Sequence, residues 1–137
     1  MESSVRADVV RLVINQVADG QLVYLRERGG KQRTFPIVIG VVEALAMHRA
    51  LNKERPPRPM THELVYRLID GLGAKVRRVT VSELRDNTFY AILSIEVDGK
   101  HIEVDARPSD ALTLAVHYGA PVFVSESVFR EAGEAPQ

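Results

Sequence analysis

Two short segments of this 137-residue sequence concentrate the side chains that could do chemistry. The first runs from Arg58 to Glu63 and leads from a basic loop into a predicted helix start that contains Thr61 and His62. The first N–H groups of a helix have no partner within it, and the helix dipole is positive there. With Arg58 beside them, these groups could hold a phosphate. A purely structural interpretation also stays open, in which Thr61 caps the helix and Pro59 stiffens its entry.

The second segment, Asp105 to Asp110, lies where a predicted strand runs directly into a helix. It contains two carboxylates, the guanidinium group of Arg107 and the hydroxyl group of Ser109. Carboxylates suit Mg²⁺ or Mn²⁺, which can activate water and neutralise charge at phosphorus. An arginine can stabilise the negative charge of a phosphoryl transition state. The segment therefore predicts a site for a divalent ion or a phosphodiester.

Helix capping is the alternative explanation for the acids. If Pro108 is the first helical residue, Asp110 is the third, where a carboxylate can accept a hydrogen bond from the amide of the capping residue. Glu43 takes the same position in an earlier predicted helix that follows Gly40. Arg107 could also pair with a neighbouring acid. The sequence leaves capping and chemistry open for both helix starts.

The composition limits the possible functions. The chain has 18 basic and 18 acidic residues and no net charge before its 4 histidines are counted, so no overall field would gather nucleic acid or acidic membrane. Any polyanion must therefore bind to a local patch. The absence of cysteine excludes disulfides, zinc thiolates, thiol nucleophiles and iron–sulfur clusters. Charged residues near the start argue against a secretory signal, and the most apolar window, residues 35–47, is too short to span a bilayer. We therefore predict a cytoplasmic protein without a membrane span.

Patterns of apolar residues predict the elements that must position the two segments. Strands are predicted over residues 5–14, 22–28, 33–39, 74–81, 89–97, 101–106 and 122–124. Helices are predicted over residues 41–51, from Thr61 to a stop at Gly73, over 108–118 and over 126–132. Turns are predicted at residues 18–20, 29–30 and 98–99, and residues 133–137 are expected to fray.

The same patterns predict burial. The first two turns of the helix over residues 41–51 are apolar on most sides and are expected to be buried. One face of the strand over residues 101–106 is expected to point inward, with Ile102, Val104 and Ala106. Its other face is expected to form cross-strand pairs, His101 with Glu96 and Glu103 with Ser94.

The sequence also contains a predicted internal repeat. A shift of 67 residues lays residues 35–45 over residues 102–112 and places Glu43 on Asp110. Each half then has the pattern of a β-hairpin followed by a buried helix, over about residues 20–52 and 88–119. We therefore predict a single α+β domain over residues 1–137, with its core at about residues 5–133, built from a duplicated β-hairpin–helix unit with a mixed or antiparallel sheet. An additional amphipathic helix is expected between the repeats.

Four segments of the chain together resemble the bifunctional nuclease domain family. These segments are Phe35–Ala44, Arg58–Leu64, Thr88–Ala91 and Asp105–Ala115, and the likeness covers roughly residues 9–133. The resemblance implies a single α+β domain, an activity on both RNA and DNA that has been attributed to plant members, and oligomers among bacterial members. The motif positions that it carries over are Glu43, Arg58, Thr61, His62, Asp105, Arg107, Ser109 and Asp110.

We therefore predict a nuclease that cleaves RNA and DNA with little sequence preference, assisted by Mg²⁺ or Mn²⁺. His62 is the expected general base or acid, and Arg58 and Arg107 are expected to hold the scissile phosphate. Further candidates for substrate binding are Thr61 and Ser109. The candidate catalytic and metal-holding carboxylates are Asp105, Asp110 and Glu43. This hypothesis requires the two segments to lie together in the fold.

A non-catalytic module is the competing hypothesis. It would bind a partner protein or a small anion, and the same residues would serve as caps and interface ion pairs. A homo-oligomer is expected under either hypothesis. A third hypothesis is RNA binding through the basic strand residues Lys75, Arg77 and Arg78.

Overall fold

The computed structural model describes residues 3–15 and 20–134 and follows the predicted element order throughout. The strands within these ranges are β1 (Ser4–Val13), β2 (Gln21–Glu27), β3 (Thr34–Ile39), β4 (Lys75–Arg85), β5 (Thr88–Val97), β6 (Lys100–Ala106) and β7 (Val122–Ser125). The helices are α1 (Val41–Asn52), α2 (Thr61–Gly71), α3 (Pro108–Tyr118) and α4 (Glu126–Ala132). Among the described residues, no helix is long and apolar enough to cross a membrane.

The strands join one sheet in the order β3-β2-β1-β7-β4-β5-β6. β1, β2 and β3 pair in antiparallel fashion, as do β4, β5 and β6. The short strand β7 lies between the two groups, antiparallel to β1 and parallel to β4. Helix α1 follows the first group in sequence, and α3 follows the second. The predicted α+β class with a mixed sheet is therefore confirmed, whereas the duplication of the two halves stays a prediction.

The apolar core brings both groups of strands together. Phe35 of β3 stacks on Phe89 of β5 with ring centroids 5.4 Å apart, and it meets Phe129 of α4 edge-on at 5.3 Å. Neighbouring strands of a sheet are about 4.8 Å apart, so β3 and β5 could not touch across a flat sheet with this strand order. The sheet therefore curls around the core.

The predicted burial of the first two turns of α1 is wrong. Ala44, Ala46 and Met47 are buried, but Val41, Val42 and Leu45 are about half exposed or more. α1 packs mainly on α3 and also contacts β2, and these three exposed side chains have no cover within the described chain. A helix with apolar residues on most sides does not reveal from its own sequence how many of those sides have a neighbour.

The predicted inward face of β6 is also wrong for two of its residues. Ile102 and Val104 are exposed, and only Ala106 packs against the core. β6 is the outermost strand of the sheet and is bonded to β5 alone, so one flank is open to solvent. The predicted cross-strand pairs are confirmed by the register, in which His101 lies opposite Glu96 and Glu103 opposite Ser94.

Three predictions at the ends of elements have different outcomes. Thr61 is the first residue of α2 and not its cap, because Met60 takes the N-cap position and Glu63 accepts a hydrogen bond from its N–H at 3.1 Å. Gly73 follows α2 with a positive φ of 72°, as its predicted role as a helix stop requires. The expected fraying from residue 133 is wrong at its start, because Glu134 pairs with Thr34. Residues 18–19 of one predicted turn and residues 135–137 of the tail lie outside the described residues.

Arg33 ties the β2–β3 hairpin to α4. Its guanidinium group donates hydrogen bonds to Glu27 at 2.8 and 3.0 Å and to Glu126 at 2.8 and 2.9 Å. The same group lies over the ring of Phe129, 4.9 Å from its centroid. The hydrogen bonds from Arg33 hold the pKa of Glu27 below its ordinary value of 4.5, although burial opposes this shift. The buried carboxylate of Glu27 therefore takes most of its charge compensation from Arg33, and Lys31 adds a weaker contribution.

Replacing Arg33 by Met should lower the free energy of unfolding by about 3 kcal/mol at pH 7, because it leaves a buried carboxylate unpaired. Urea denaturation measures this loss. The folded pKa of Glu27 is depressed, so the stabilisation is present above the ordinary pKa and is lost as the pH falls through the folded value. The difference in the free energy of unfolding between the unmodified protein and the variant should therefore shrink below about pH 4.

Arg28→Met is the matched control, because Arg28 forms its ion pair with Asp8 at the surface, where both side chains are about half exposed. Exposed ion pairs contribute little to stability. The free energy of unfolding should therefore fall much less in this variant than in Arg33→Met at pH 7. Equal losses in the two variants would contradict the role assigned to Arg33.

Candidate active site

Helices α2 and α3 lie side by side and run in the same direction. In their first turns, His62 of α2 contacts Asp110 of α3. Further along they are joined by the stacked rings of Tyr66 and His117 (centroids 3.6 Å apart, planes 2° apart) and by the Tyr118 hydroxyl, which lies within hydrogen-bond distance of Asp70 (2.9 Å) and of the Tyr66 carbonyl oxygen (3.1 Å). The starts of the two helices, with their unpaired N–H groups and positive dipole ends, therefore adjoin at the His62–Asp110 contact.

The two chemically rich segments of the sequence meet in one hydrogen bond. Nε2 of His62 lies 2.8 Å from Oδ1 of Asp110, which is 48 residues later in the chain. The side chain of His62 is 12% exposed and that of Asp110 is 43% exposed. The described part of the chain supplies no hydrogen-bond partner for Nδ1 of His62. When Nε2–H donates to the carboxylate, Nδ1 keeps a lone pair that can accept a proton.

Asp110 is positioned by the most deeply buried helix of the fold. α3 begins at Pro108, whose fixed φ suits a first helical residue, and seven of its eleven residues are buried. The hydroxyl of Thr113 donates to the carbonyl oxygen of Ser109 at 2.8 Å within this buried stretch. The backbone at Asp110 is therefore fixed by packing on the core.

His62 is positioned by an ion pair at the start of α2. Arg49 of α1 donates to both carboxylate oxygens of Glu63, at 2.9 and 3.2 Å, and the Met60 N–H donates to the same carboxylate. Burial alone would raise the pKa of Glu63, but these hydrogen bonds outweigh it and leave the pKa below its ordinary value of 4.5. The charged form of Glu63 therefore holds the first turn of α2, including His62, against α1.

The capping alternative for the acids has a mixed outcome. Asp110 does not accept from the Arg107 N–H within the described structure and is bonded to His62 instead. Glu43, at the equivalent third position of α1, folds back so that its carboxylate lies against the backbone at Gly40. The capping-box hydrogen bond is found at Glu63. The possible ion pair of Arg107 with a neighbouring acid is not among the contacts of the described residues.

His62 and Asp110 form a hydrogen-bonded pair, the dyad, and the remaining predicted site residues differ in how deeply they are buried. Arg58 in the loop before α2, Thr61, Asp105 near the end of β6 and Arg107 at the N-cap of α3 are exposed. Ser109 is only 6% exposed. The fold therefore brings His62 and Asp110 into contact, leaves the two arginines free at the surface, and gives Glu43 a contact with its own helix start.

A family model described as the bifunctional nuclease domain matches residues 23–137. The chain belongs to the bifunctional nuclease domain family. The match contains both segments that meet at the dyad, together with Glu43.

Relatives occur in bacteria and in plants. An uncharacterized protein of Mycobacterium tuberculosis, Rv1829, is 38% identical over 125 residues, which make up 91% of this chain and 74% of that protein. Bifunctional nuclease 2 of Oryza sativa subsp. japonica is 27% identical over 118 residues, 84% of this chain and 36% of the plant protein. Bifunctional nuclease 1 of Arabidopsis thaliana is 26% identical over 107 residues, 76% of this chain and 33% of that protein. The chain thus spans about a third of the length of these plant relatives.

The candidate carboxylates of this family domain do not form a complete metal site by themselves. Among residues 3–15 and 20–134, no three His, Asp or Glu side chains lie close enough together to hold a metal ion. Mg²⁺ is often held by only one or two carboxylates, with water and substrate phosphate as its other ligands.

A pocket of about 450 Å³ lies beside the dyad's helices and was not anticipated from the sequence. It is enclosed by the end of α1, the loop after it, α2 and α3, and its basic residues are Arg49, Lys53, Arg55 and Arg67. Neither His62 nor Asp110 lines it. The basic, proline-rich loop over residues 53–59 was the one part of the sequence that pointed to this pocket. The other lining residues come from three helices that only the fold brings together.

Nitrogen-15 NMR of the histidine side chains at alkaline pH should show the neutral ring of His62 with its proton on Nε2. Asp110 accepts a hydrogen bond from that nitrogen and so selects the tautomer. In the Asp110→Ala variant the signal should move toward the mixture of tautomers that a free imidazole shows.

The signal of the exposed His101 serves as the internal reference, because it lies on β6 and should not respond to Asp110→Ala. A proton found on Nδ1 of His62 in the unmodified protein would show that the ring does not have the orientation described here.

Proposed function

We propose that this protein is a nuclease that hydrolyses phosphodiester bonds in both RNA and DNA. The observation that carries the proposal is the 2.8 Å contact between His62 and Asp110, which joins two segments of the family domain at the adjoining starts of α2 and α3. A histidine oriented by a carboxylate is suited to act as a general base. The positive ends of two helices suit a bound phosphate. The partial exposure of Asp110 leaves the dyad reachable from solvent.

Water is the nucleophile in this proposal, because DNA has no 2′-hydroxyl group that could attack the adjacent phosphate. Nδ1 of His62 takes a proton from the water molecule while the water oxygen forms a bond to phosphorus. The bond between phosphorus and the leaving sugar oxygen breaks, and that oxygen takes a proton from solvent. Asp110 retains its hydrogen bond to Nε2–H and balances the positive charge that His62 gains. His62 then returns its extra proton to solvent.

Arg58 and Arg107 hold the scissile phosphate in this proposal. Both are exposed, and neither has an ion pair with the described residues that would compete for a phosphate. Their guanidinium groups can each donate two hydrogen bonds to phosphate oxygens. Thr61 adds a hydroxyl group in the first turn of α2 that can contact the phosphate. Ser109 lies in the first turn of α3 and is buried, and it is the further proposed substrate-binding residue. Contacts to phosphate carry no base information, so little sequence preference is expected.

Mg²⁺ or Mn²⁺ is proposed as a partner that arrives with the substrate. Asp105 and Asp110 are its proposed ligands, with Glu43 as a further candidate, and the ion would neutralise charge at phosphorus. The metal enters none of the proton transfers above. The names of the plant relatives, which are bifunctional nucleases, support the assignment of nucleic acid as substrate. The cytoplasm stays the predicted compartment on sequence grounds.

Labelled single-stranded RNA and DNA of mixed sequence are the substrates for the test. His62→Gln and Asp110→Asn should each lower the cleavage rate by about 10²- to 10⁴-fold, because they remove the base or the group that orients it. The rates are compared in Mg²⁺, in Mn²⁺ and in EDTA. A loss of cleavage in EDTA would support the partial carboxylate site.

His101→Gln is the matched control for the cleavage assay. His101 is exposed and lies 3.8 Å from the exposed carboxylate of Glu103, so it forms a histidine–acid pair without the surroundings of the dyad. This variant should cleave at the unmodified rate. Unchanged cleavage by a folded His62→Gln variant would refute the proposal, because the activity would then come from another site or from a contaminant.

A non-catalytic oligomer is the second candidate, and one feature of α2 favours self-association. Apolar side chains that are 50 to 72% exposed recur every four residues along this helix, at Met60, Leu64, Leu68 and Leu72. An exposed apolar stripe of this kind marks a contact surface. We propose a second copy as its occupant, because two identical stripes can pack on each other about a two-fold axis. In the non-catalytic alternative, this oligomer binds a partner protein or a small anion, and the dyad only holds α2 on α3.

Sedimentation equilibrium tests the proposed self-association. The unmodified protein should sediment as a dimer or larger oligomer, and Leu64→Glu combined with Leu68→Glu should sediment as a monomer, because two charges on each stripe cannot be buried unpaired. Val10→Glu is the control, since Val10 is an exposed apolar residue on β1. A monomeric unmodified protein would contradict the proposal.

A further inference from the structure

The pocket of about 450 Å³ has the size of a small-molecule site, for which about 300 to 1,000 Å³ is usual. Two elements of different character enclose it. One is the loop after α1, in which Pro56 and Pro59 line the pocket and restrict the backbone. The other is the face shared by α2 and α3, which Arg49 of α1 ties to the same region through Glu63. The pocket is therefore held open by parts whose positions are fixed independently of any ligand.

Three cations of the pocket are available to a ligand. Lys53, Arg55 and Arg67 have no ion pair with the described residues, whereas the guanidinium group of Arg49 is already bonded to Glu63. Two long guanidinium groups and an ammonium group around one cavity suit a phosphate group.

Acidic groups share the same pocket and argue against phosphate as the whole ligand. Glu54 and Asp70 line it together with the three cations, and Asp70 already accepts a hydrogen bond from Tyr118. A carboxylate repels an isolated phosphate, but it can accept hydrogen bonds from the hydroxyl groups of a sugar or the N–H groups of a base. The mixture of charges therefore favours a ligand that combines an anionic group with neutral hydrogen-bond donors.

An aromatic wall supplies a place for a flat ring. His117 lines the pocket and lies parallel to the ring of Tyr66, which is 7% exposed, at 3.6 Å. Partial burial lowers the pKa of His117 below its ordinary value of 6.5, although Asp70 opposes the shift, so the ring is neutral at pH 7. A neutral imidazole that is supported on one side by a buried tyrosine presents a rigid π surface, on which a nucleobase can stack.

We propose that this pocket binds a nucleoside monophosphate, with the base against His117 and the phosphate among Lys53, Arg55 and Arg67. The phosphorylated nucleoside is either a free mononucleotide or the end of a nucleic-acid strand. The proposal goes beyond the nuclease function, because binding in the pocket needs neither His62 nor Asp110. The two sites share helix α2 but no proposed ligand contact.

Titration calorimetry with adenosine monophosphate, uridine monophosphate and inorganic phosphate tests the pocket directly. Both nucleotides should bind about tenfold or more tightly than inorganic phosphate, because they add the base and sugar contacts. Arg67→Ala should weaken nucleotide binding by about tenfold or more through the loss of a charged hydrogen bond. His117→Ala should weaken binding of the nucleotides and leave the affinity for inorganic phosphate unchanged.

Arg26→Ala is the matched control, because Arg26 is an exposed arginine on β2 and does not line the pocket. This variant should keep the unmodified affinity. His62→Gln should also keep nucleotide binding even where it abolishes cleavage, which separates a failure of this proposal from a failure of the proposed nuclease activity. Circular dichroism of each variant verifies that it is folded.

Competition with short single-stranded DNA, measured on the His62→Gln variant so that the competitor is not cleaved, distinguishes the two sources of the ligand. If an oligonucleotide with a terminal phosphate displaces adenosine monophosphate and one without it does not, the pocket holds a strand end. If neither displaces it, the pocket holds a free mononucleotide. The proposal is overturned if no nucleotide binds, if inorganic phosphate binds as tightly as the nucleotides, or if folded Arg67→Ala and His117→Ala both keep full nucleotide affinity.

Discussion

The parallel packing of α2 on α3 is the constraint on which the candidate active site depends. α2 contributes no strand pairing and keeps much of its surface exposed, so its position is set by side-chain contacts with its neighbours. Three of these contacts follow the length of the helix pair, namely His62 with Asp110, Tyr66 with His117, and Asp70 with Tyr118. The first of them is also the proposed catalytic dyad. The hydrogen bond that would orient the base is therefore also part of what holds the helix in place.

α3 can hold α2 in place because α3 itself is anchored to the sheet. β7 follows α3 in sequence and inserts between β1 and β4, which joins the two antiparallel groups and returns the chain under the helix. At the far side, Arg33 bonds Glu27 and Glu126 together and so connects the β2–β3 hairpin to α4, the element after β7. The core contacts of Phe35 with Phe89 and Phe129 link the same regions. α3 is therefore held within the core, whereas α2 packs on its outer side with most of its own residues outside the core.

The sequence was sufficient for features that depend on local patterns. The Gly73 stop and the cross-strand pairs of β6 are decided within one helix or one hairpin, and the structure confirms them. Burial of Val41 and Ile102 was predicted wrongly because it depends on whether another element covers that face. The role of Asp110 was also hard to predict, because it depends on which other element lies beside α3. An acid at the third position of a helix is consistent with capping, and only the placement of α2, whose His62 lies 48 residues away, shows that it bonds elsewhere. The pocket was missed for the related reason that its walls come from four separate parts of the chain.

α2 itself divides these roles by the periodicity of the helix. Residues three or four apart share a face, so one helix of three turns can present three distinct surfaces. The face on α3 carries His62, Tyr66 and Ile69; the pocket face carries Glu63, Arg67 and Asp70; the outward face carries Leu64, Leu68 and Leu72. A change on the outward face has no direct contact with either proposed site, whereas a change that loosens the inner face would separate His62 from Asp110 and open the wall of the pocket together.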